Sequence, residues 1–496
     1  MAAFLILMIP YHGKAESSAV EQAVDDLVPS SEMRTYAMTM DEASRLALQN
    51  NFDIQLAKFD VYISRTRQDE AESIYDTILS AMVGYEDDQS EPTSSIMGTK
   101  SLDNDYNIGI SRKLPTGTTV SVDMANNRHW TNSSFVTLNP AHDSSLGLTV
   151  EQDLGKNFFG IQDRGNIRIT QGEIENSEYT SLDKIEQYLA DVQKAYWEMA
   201  LHVERAQIAR DMLEQARRLW EHDQAKFRDG LVEKPELIAT EANYRTRQSD
   251  VMMAESELKT RENVLRFLLN IPDDTAQIAP QDTLGAAEEE TLVHPALKAA
   301  LENRRDFKKA HNELKNRDIK LAMERNNLWP EINLTASLAQ NGVSADSFRS
   351  AVEQIGSEYN ADVAATLSVS FPLENRKAKA NLKKADLEKA RALVNIKLLE
   401  RKIAIDIMDQ VRSCDVFLEV AANSDIVAEL QANKLMEEEK RFRTGRSDTD
   451  TLIRFQEDVI EARWKAAQDK YRYATALVEL KRREGVLLNA FWQEGL

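Results

Sequence analysis

Side chains able to do chemistry are plentiful in this chain, but they are not arranged for catalysis. The seven histidines are scattered, and no HExxH, phosphate-binding glycine loop, GxGxxG or nucleophile elbow occurs. The single cysteine, Cys414, lies in an apolar helical neighbourhood. It offers no disulfide framework, CxxC metal site or redox pair, and a buried thiol is its expected state. Acids outnumber bases, 82 to 61, yet paired carboxylates on long helices ordinarily mark solvated faces. The expectation is a protein that is not an enzyme and has no cofactor and no metal site. Three acids, Glu236, Asp448 and Asp450, stand apart because they flank two repeated turns. Their chemistry would be electrostatic: carboxylates brought close together attract cations and bind polyvalent ones. The alternative role is stabilisation of a helix N-terminus.

The turns organise the chain. Residues 226–238 read KFRDGLVEKPELI and residues 441–453 read RFRTGRSDTDTLI. An offset of 215 carries Phe227 onto Phe442, Arg228 onto Arg443, Gly230 onto Gly445, and Leu237 onto Leu452. Apolar residues recur every seven positions on both sides. Ile185, Val192, Met199, Ala206, Leu213, Trp220 and Phe227 precede the first turn; Leu237, Tyr244, Val251, Leu258 and Leu265 follow it. The images of the second row are Leu452, Val459, Ala466, Tyr473 and Leu480, continued by Leu487. A heptad period means helix packed on helix, and glycine at the break tolerates the positive φ of a helix end. Each copy therefore reads as a long antiparallel hairpin with a tight tip near 230 or 445. The exposed tip residues are expected to be Arg228, Asp229, Gly230 and Leu231, and Arg443, Thr444, Gly445 and Arg446.

Two stretches break the helical period. Alternation of apolar and small polar residues appears at Leu79–Tyr85, Tyr106–Ile110, Val120–Met124 and Leu146–Val150, within 77–153. It returns at Ile332–Leu338 and Val363–Phe371, within 331–371. LPTGT at 114–118 reads as a hairpin turn, and 126–145, with Trp130 and Phe135, as a loop. Helices are expected over 39–77 and from Pro295 to Trp329. The first repeat spans 39–270 and the second 294–496, with an irregular junction at 271–293. A short apolar run before Ala15 suggests a signal peptide over 1–15, without the usual basic start, followed by a polar lead over 16–38.

No apolar run reaches the ~18 residues of a membrane helix, so any membrane role belongs to the strands. Their length suits a tilted crossing of a bilayer, and their second face suits a wet lumen. A soluble sandwich would instead bury bulky residues between two sheets. Arg112 falls on the apolar side, but two residues from a turn. Four or six strands per chain cannot close a barrel alone, so the barrel would be shared among copies. The net charge of −21 argues against a nucleic-acid partner.

This order of features resembles the TolC-type outer-membrane efflux and secretion ducts. MTMDEASRLALQNNFDIQLA at 39–58 resembles the family's opening helix, and HPALKAAL at 294–301 its second-half counterpart. LWPEINL at 328–334 and SVSFPLENRKAKANLKKA at 368–385 resemble its helix-to-strand and strand-to-helix steps. The resemblance implies a mainly α protein with β strands. Duplicated long α-hairpins would form a periplasmic tube, and strands would join an oligomeric transmembrane barrel with four per chain. It also implies a homotrimer in the outer membrane of a Gram-negative cell. The tips would meet a periplasmic adaptor (membrane fusion) protein, and through it an inner-membrane transporter, for efflux or type I secretion. The family's acidic gate position falls on Glu236 in the first copy but on Thr451 in the second, where Asp450 and Asp448 lie nearby. A soluble coiled-coil scaffold and a periplasmic adaptor are the competing readings. The first leaves the strands unexplained, and the second needs one hairpin rather than two.

Overall fold

The computed structural model describes residues 35–91, 96, 98–271, 277–285, 289, 291–357 and 360–491. The expected signal peptide lies outside them. Two compact units are formed, one from residues up to 59 with 181–305 and 400–496, the other from 60–180 with 306–399.

The duplication is kept to the residue in the long helices. In the first copy α3 (Ile161–Arg228) and α4 (Lys234–Leu269) have 68 and 36 residues. In the second, α8 (Arg376–Arg443) and α9 (Thr449–Glu484) have the same lengths, and the offset of 215 holds at all four pairs of ends. At 1.5 Å per residue the longer helices run about 100 Å. α3 passes through Gly172, where a Cβ would lie 2.2 Å from Asn316 Oδ1. That glycine permits close packing against α6 (Arg305–Asn326).

The first unit opens with β1 (Thr35–Met38) and α1 (Met40–Asn50). Thr39 and Glu42 form a capping box: Thr39 Oγ1 accepts from the Glu42 amide and Glu42 Oε2 from the Thr39 amide. The helix expected over 39–77 is broken at Asn51, and α2 (Phe52–Glu72) follows. The reason is a side chain: Asn51 Oδ1 accepts from the Ile54 amide at 3.0 Å while Nδ2 donates to Leu268 O at 2.7 Å. The second repeat breaks alike at Arg304, between α5 (Val293–Asn303) and α6, so the helix expected from Pro295 to Trp329 is also two. The junction is not wholly irregular. Its β6 (Gln277–Pro280) pairs in parallel with β1 at the end of the polar lead.

Around this small sheet Met38, Val192, Tyr196, Met199, Leu265, Leu269 and Ile278 make one core. Leu48, Ile54, Leu189, Val478 and Leu488 make another. Tyr196 Oη donates towards Met38 O and Asp282 Oδ2, both at 3.0 Å, and burial pushes its pKa far up. Beside the second core the buried Arg305–Glu186 pair is completed by the Leu488 amide donating to Glu186.

The second unit holds six antiparallel strands in the order β2-β3-β4-β5-β7-β8. They are β2 (Thr77–Asp88), β3 (Ser101–Lys113), β4 (Thr118–Thr131), β5 (Ala141–Asp153), β7 (Glu331–Ser344) and β8 (Ala361–Ser370). LPTGT is the β3–β4 turn, closed by the Leu114 amide on Thr118 O at 2.7 Å. The loop expected over 126–145 is largely strand, since β4 and β5 stay paired up to His129 opposite Ala141. Beyond the apolar rows Arg128, Trp130 and His142 take the same parity, with His142 buried against Phe348, so alternation fades while backbone pairing goes on. A short helix, α7 (Phe348–Ser357), packs on the far end of β5 and β7.

Candidate functional site

Two regions carry the functional geometry: the faces of the six-stranded sheet and the tips of the two hairpins. In the sheet, register places the apolar residues of every strand in continuous rows. One row runs Leu79, Ile110, Val122, Leu148, Leu338, Val363, each residue opposite the next. A second runs Ala81, Ile108, Met124, Leu146. These side chains are not core: Leu79 is 66% exposed, Leu148 41% and Val363 72%. An apolar surface of this extent left open on a water-soluble chain would be an association or membrane surface. The next parity reads Ser80, Gly109, Asp123, Gly147, Ala339, Asp362.

Aromatic residues bracket the apolar side. Tyr85, at 69% exposure, and Tyr106 stand toward the loop end, and Phe371 beyond the end of β8. Such girdles sit where a bilayer meets water. Arg112 faces outward next to the LPTGT turn, paired across to Thr77 and Val120. No second sheet covers either face among the described residues, which removes the sandwich alternative. Strands β2 and β8 each keep one unpaired edge, a template for a further strand.

At the tips Gly230 and Gly445 have φ of +71° and +73°, and a Cβ placed on either would meet no atom within 4 Å. Their need is conformational, not steric. Both turns close in the same way. The amide after the glycine reaches back to a carbonyl in the last turn of the helix, Leu231 to Lys226 O and Arg446 to Arg441 O, each at 2.9 Å. All eight expected tip residues are exposed.

Glu236, Asp448 and Asp450 are exposed as well. Asp448 is the N-cap of α9: its carboxylate accepts from the Thr451 amide at 2.8 Å and the Thr451 hydroxyl at 3.0 Å. Those bonds hold its pKa below the usual carboxylate range. Asp450 and Glu236 lie in the first turns of α9 and α4. Among the described residues no hydrogen bond joins one of the three to another. Cys414 is buried, and burial raises its thiol to about 11. Sequence reading passed over two buried acids below the tips, Asp223 and Glu438. The offset of 215 relates them, and that was the available signal.

A sheet with one open apolar face, girdled by aromatics and carrying two unpaired edges, together with duplicated helical hairpins, defines an outer-membrane channel protein. A profile of the outer membrane efflux protein family matches residues 100–270 and 296–407, more than half of the chain. The chain belongs to that family. A search of curated protein sequences finds no match. Among solved structures the fold is similar to that of CusC, with a TM-score of 0.68 at 15% identity over 92% of this chain and 97% of that one. The Campylobacter jejuni outer membrane channel CmeC gives 0.65 at 14% identity, over 98% and 94%. The open state of the Neisseria gonorrhoeae outer membrane channel MtrE gives 0.64 at 16% identity, over 92% and 93%. At such identities the likeness is one of fold.

Proposed function

We propose that the protein is the outer-membrane duct of a tripartite efflux or type I secretion system, acting as a homotrimer. The observation that carries this reading is the register of the sheet, which lines up apolar side chains across all six strands and leaves both edges open. Three copies would close an 18-stranded barrel, outward apolar and inward small and polar, wide enough for an aqueous channel. The long hairpins would continue the passage through the periplasm. Their tips, Arg228–Leu231 and Arg443–Arg446, would dock a periplasmic adaptor and through it an inner-membrane transporter. Glu236, Asp448 and Asp450, repeated threefold, would draw cations to a narrow mouth.

Two measurements test this. Native mass spectrometry of detergent-purified protein should give three chains, and a well-behaved monomer keeping its full strand content would refute the shared barrel. Planar-bilayer recordings should show a cation-selective pore blocked by polyvalent metal ions. Combining Glu236→Gln, Asp448→Asn and Asp450→Asn should weaken selectivity and block without altering the trimer. Unchanged currents would leave these acids with helix-end roles only.

A further inference from the structure

Beneath each tip one carboxylate is withdrawn from water. The offset that superimposes the tips carries Asp223 onto Glu438, and both are buried, at 1% and 8% exposure. Their partners differ. Glu438 accepts a hydrogen bond from Ser447 Oγ and has the Arg441 guanidinium 3.6 Å away. In the first copy the serine's place is taken by Val232 and the arginine's by Lys226. The valine side chain has no donor, and Lys226 Nζ lies over the Phe442 ring instead, 5.5 Å from its centre. Among the described residues Asp223 Oδ2 has no hydrogen-bond partner.

Among the described residues no neighbour bonds Asp223 Oδ2 in the serine's stead. The Arg210–Glu255 pair and the stacking of Trp220 on Tyr244 set the antiparallel register of α3 on α4. That register brings Asp223 opposite the first turns of α4, where Thr240 is fully buried. The Thr240 hydroxyl is spent on its own helix, donating to Leu237 O at 3.1 Å. The second hairpin contributes the Phe442 ring beside His222, and apolar Leu452 and Val459 against Leu219. The charges that reach Asp223 are His222 and Lys226 on α3 and Glu236 on α4. Burial first, and Glu236 with it, push its pKa up, against the pull of His222 and Lys226.

We propose that Asp223 is a proton-operated latch of the first tip alone: neutral, it lets α3 and α4 close beneath the turn, and ionised, it loosens them. The sign is opposite to that of a paired carboxylate. The closed form is weakened in full above the raised pKa, and it recovers as pH falls toward the ordinary Asp value of about 3.9. The second tip, where Glu438 is bonded to Ser447, lacks this latch. This holds for the hairpin whether or not the tips dock a partner.

Hydrogen exchange of the full-length protein in detergent, corrected for intrinsic rates, reads the difference at about pH 4, near the ordinary Asp value, and about pH 7.5. Protection of 226–233 should rise several-fold on acidification while that of 441–448 stays level. Asp223→Asn should protect the first tip equally at both pH values. Val232→Ser, which restores the missing donor, should raise its protection at the higher pH. Equal responses at the two tips would overturn the latch. So would a response that survives Asp223→Asn, is lost in His222→Gln, or an absence of any gain from Val232→Ser.

Discussion

The two hairpins share lengths, turn closure and packing register, yet their return helices are seated differently. On α9 the heptad row is buried throughout: Leu452, Val459, Ala466, Tyr473 and Leu480 are all at 5% exposure or less. On α4 the equivalent row is buried only at Leu265, while Leu237, Tyr244, Val251 and Leu258 are half-buried. The cause lies in α3. Toward its end the residues Met212 and Leu219 turn to the second hairpin and pack on Leu435, Leu452 and Val459. The expected heptad positions Leu213 and Trp220 are left half-buried, with Trp220 stacked on Tyr244. One copy therefore sits in a filled core and the other in a thin seam. Duplication preserved geometry at the ends while the interior contacts diverged.

Substitutions at matched positions break or sharpen this contrast. The largest effect is expected at the rows themselves. Leu452→Ala should cost about 2–5 kcal/mol, the range for a buried leucine, and Leu237→Ala only about 1 kcal/mol, as measured by denaturant unfolding. Equal costs would mean that a neighbouring chain fills the α4 seam on assembly.

The next effect is electrostatic. Glu479 on α9 corresponds to Val264 on α4. Burial works against its charge, but hydrogen bonds from Arg482, Lys194 and Arg483 prevail and hold it at about 2. Its contribution should be full above the ordinary glutamate range and fade as pH falls through about 2. Glu479→Gln should then cost about 1–3 kcal/mol at neutral pH, allowing for partial screening, and progressively less on acidification. A pH-independent cost in an unfolding titration would remove the ion cluster from the account.

A control of smaller size is the tip glycine. Gly230→Val and Gly445→Val should each cost about 1–2 kcal/mol, because the strain of a positive φ is the same in both turns. A marked inequality would show that one turn is braced by more than its backbone. Smallest of all, Asp448→Ala should loosen the start of α9 in hydrogen exchange, whereas Glu233→Ala should leave α4 unchanged, since Glu233 makes no side-chain cap.

Much of this architecture is written locally in the chain. The tips are legible because a positive φ calls for glycine twice at one spacing. The strands are legible because one face is apolar, and LPTGT marks the turn between two of them. The choice between four and six strands needed the pairing itself. Other features rest on distant partners that no local pattern encodes. Asn51 breaks a helix by reaching the Leu268 carbonyl, and β1 and β6 are four-residue strands paired across the whole first repeat. The upper halves of β4 and β5 were hidden because Arg128, Trp130 and His142 interrupt the alternation there. At the candidate gate, a helix-end role for Asp448 stood beside the gate role in sequence, and its capping bond to Thr451 depends on where α9 begins. Asp223 could be aligned with Glu438, but burial and the missing donor appear only in three dimensions.

On this account the two faces of the six-stranded sheet meet different solvents. Single cysteines placed at Leu148 and at its neighbour Thr149 test it in protein reconstituted into lipid, with buried Cys414 silent to labelling. A fluorophore at position 148 should be quenched by brominated lipid and shielded from aqueous iodide, and one at 149 should show the reverse. Aqueous quenching at both positions with no lipid quenching at either would contradict the barrel.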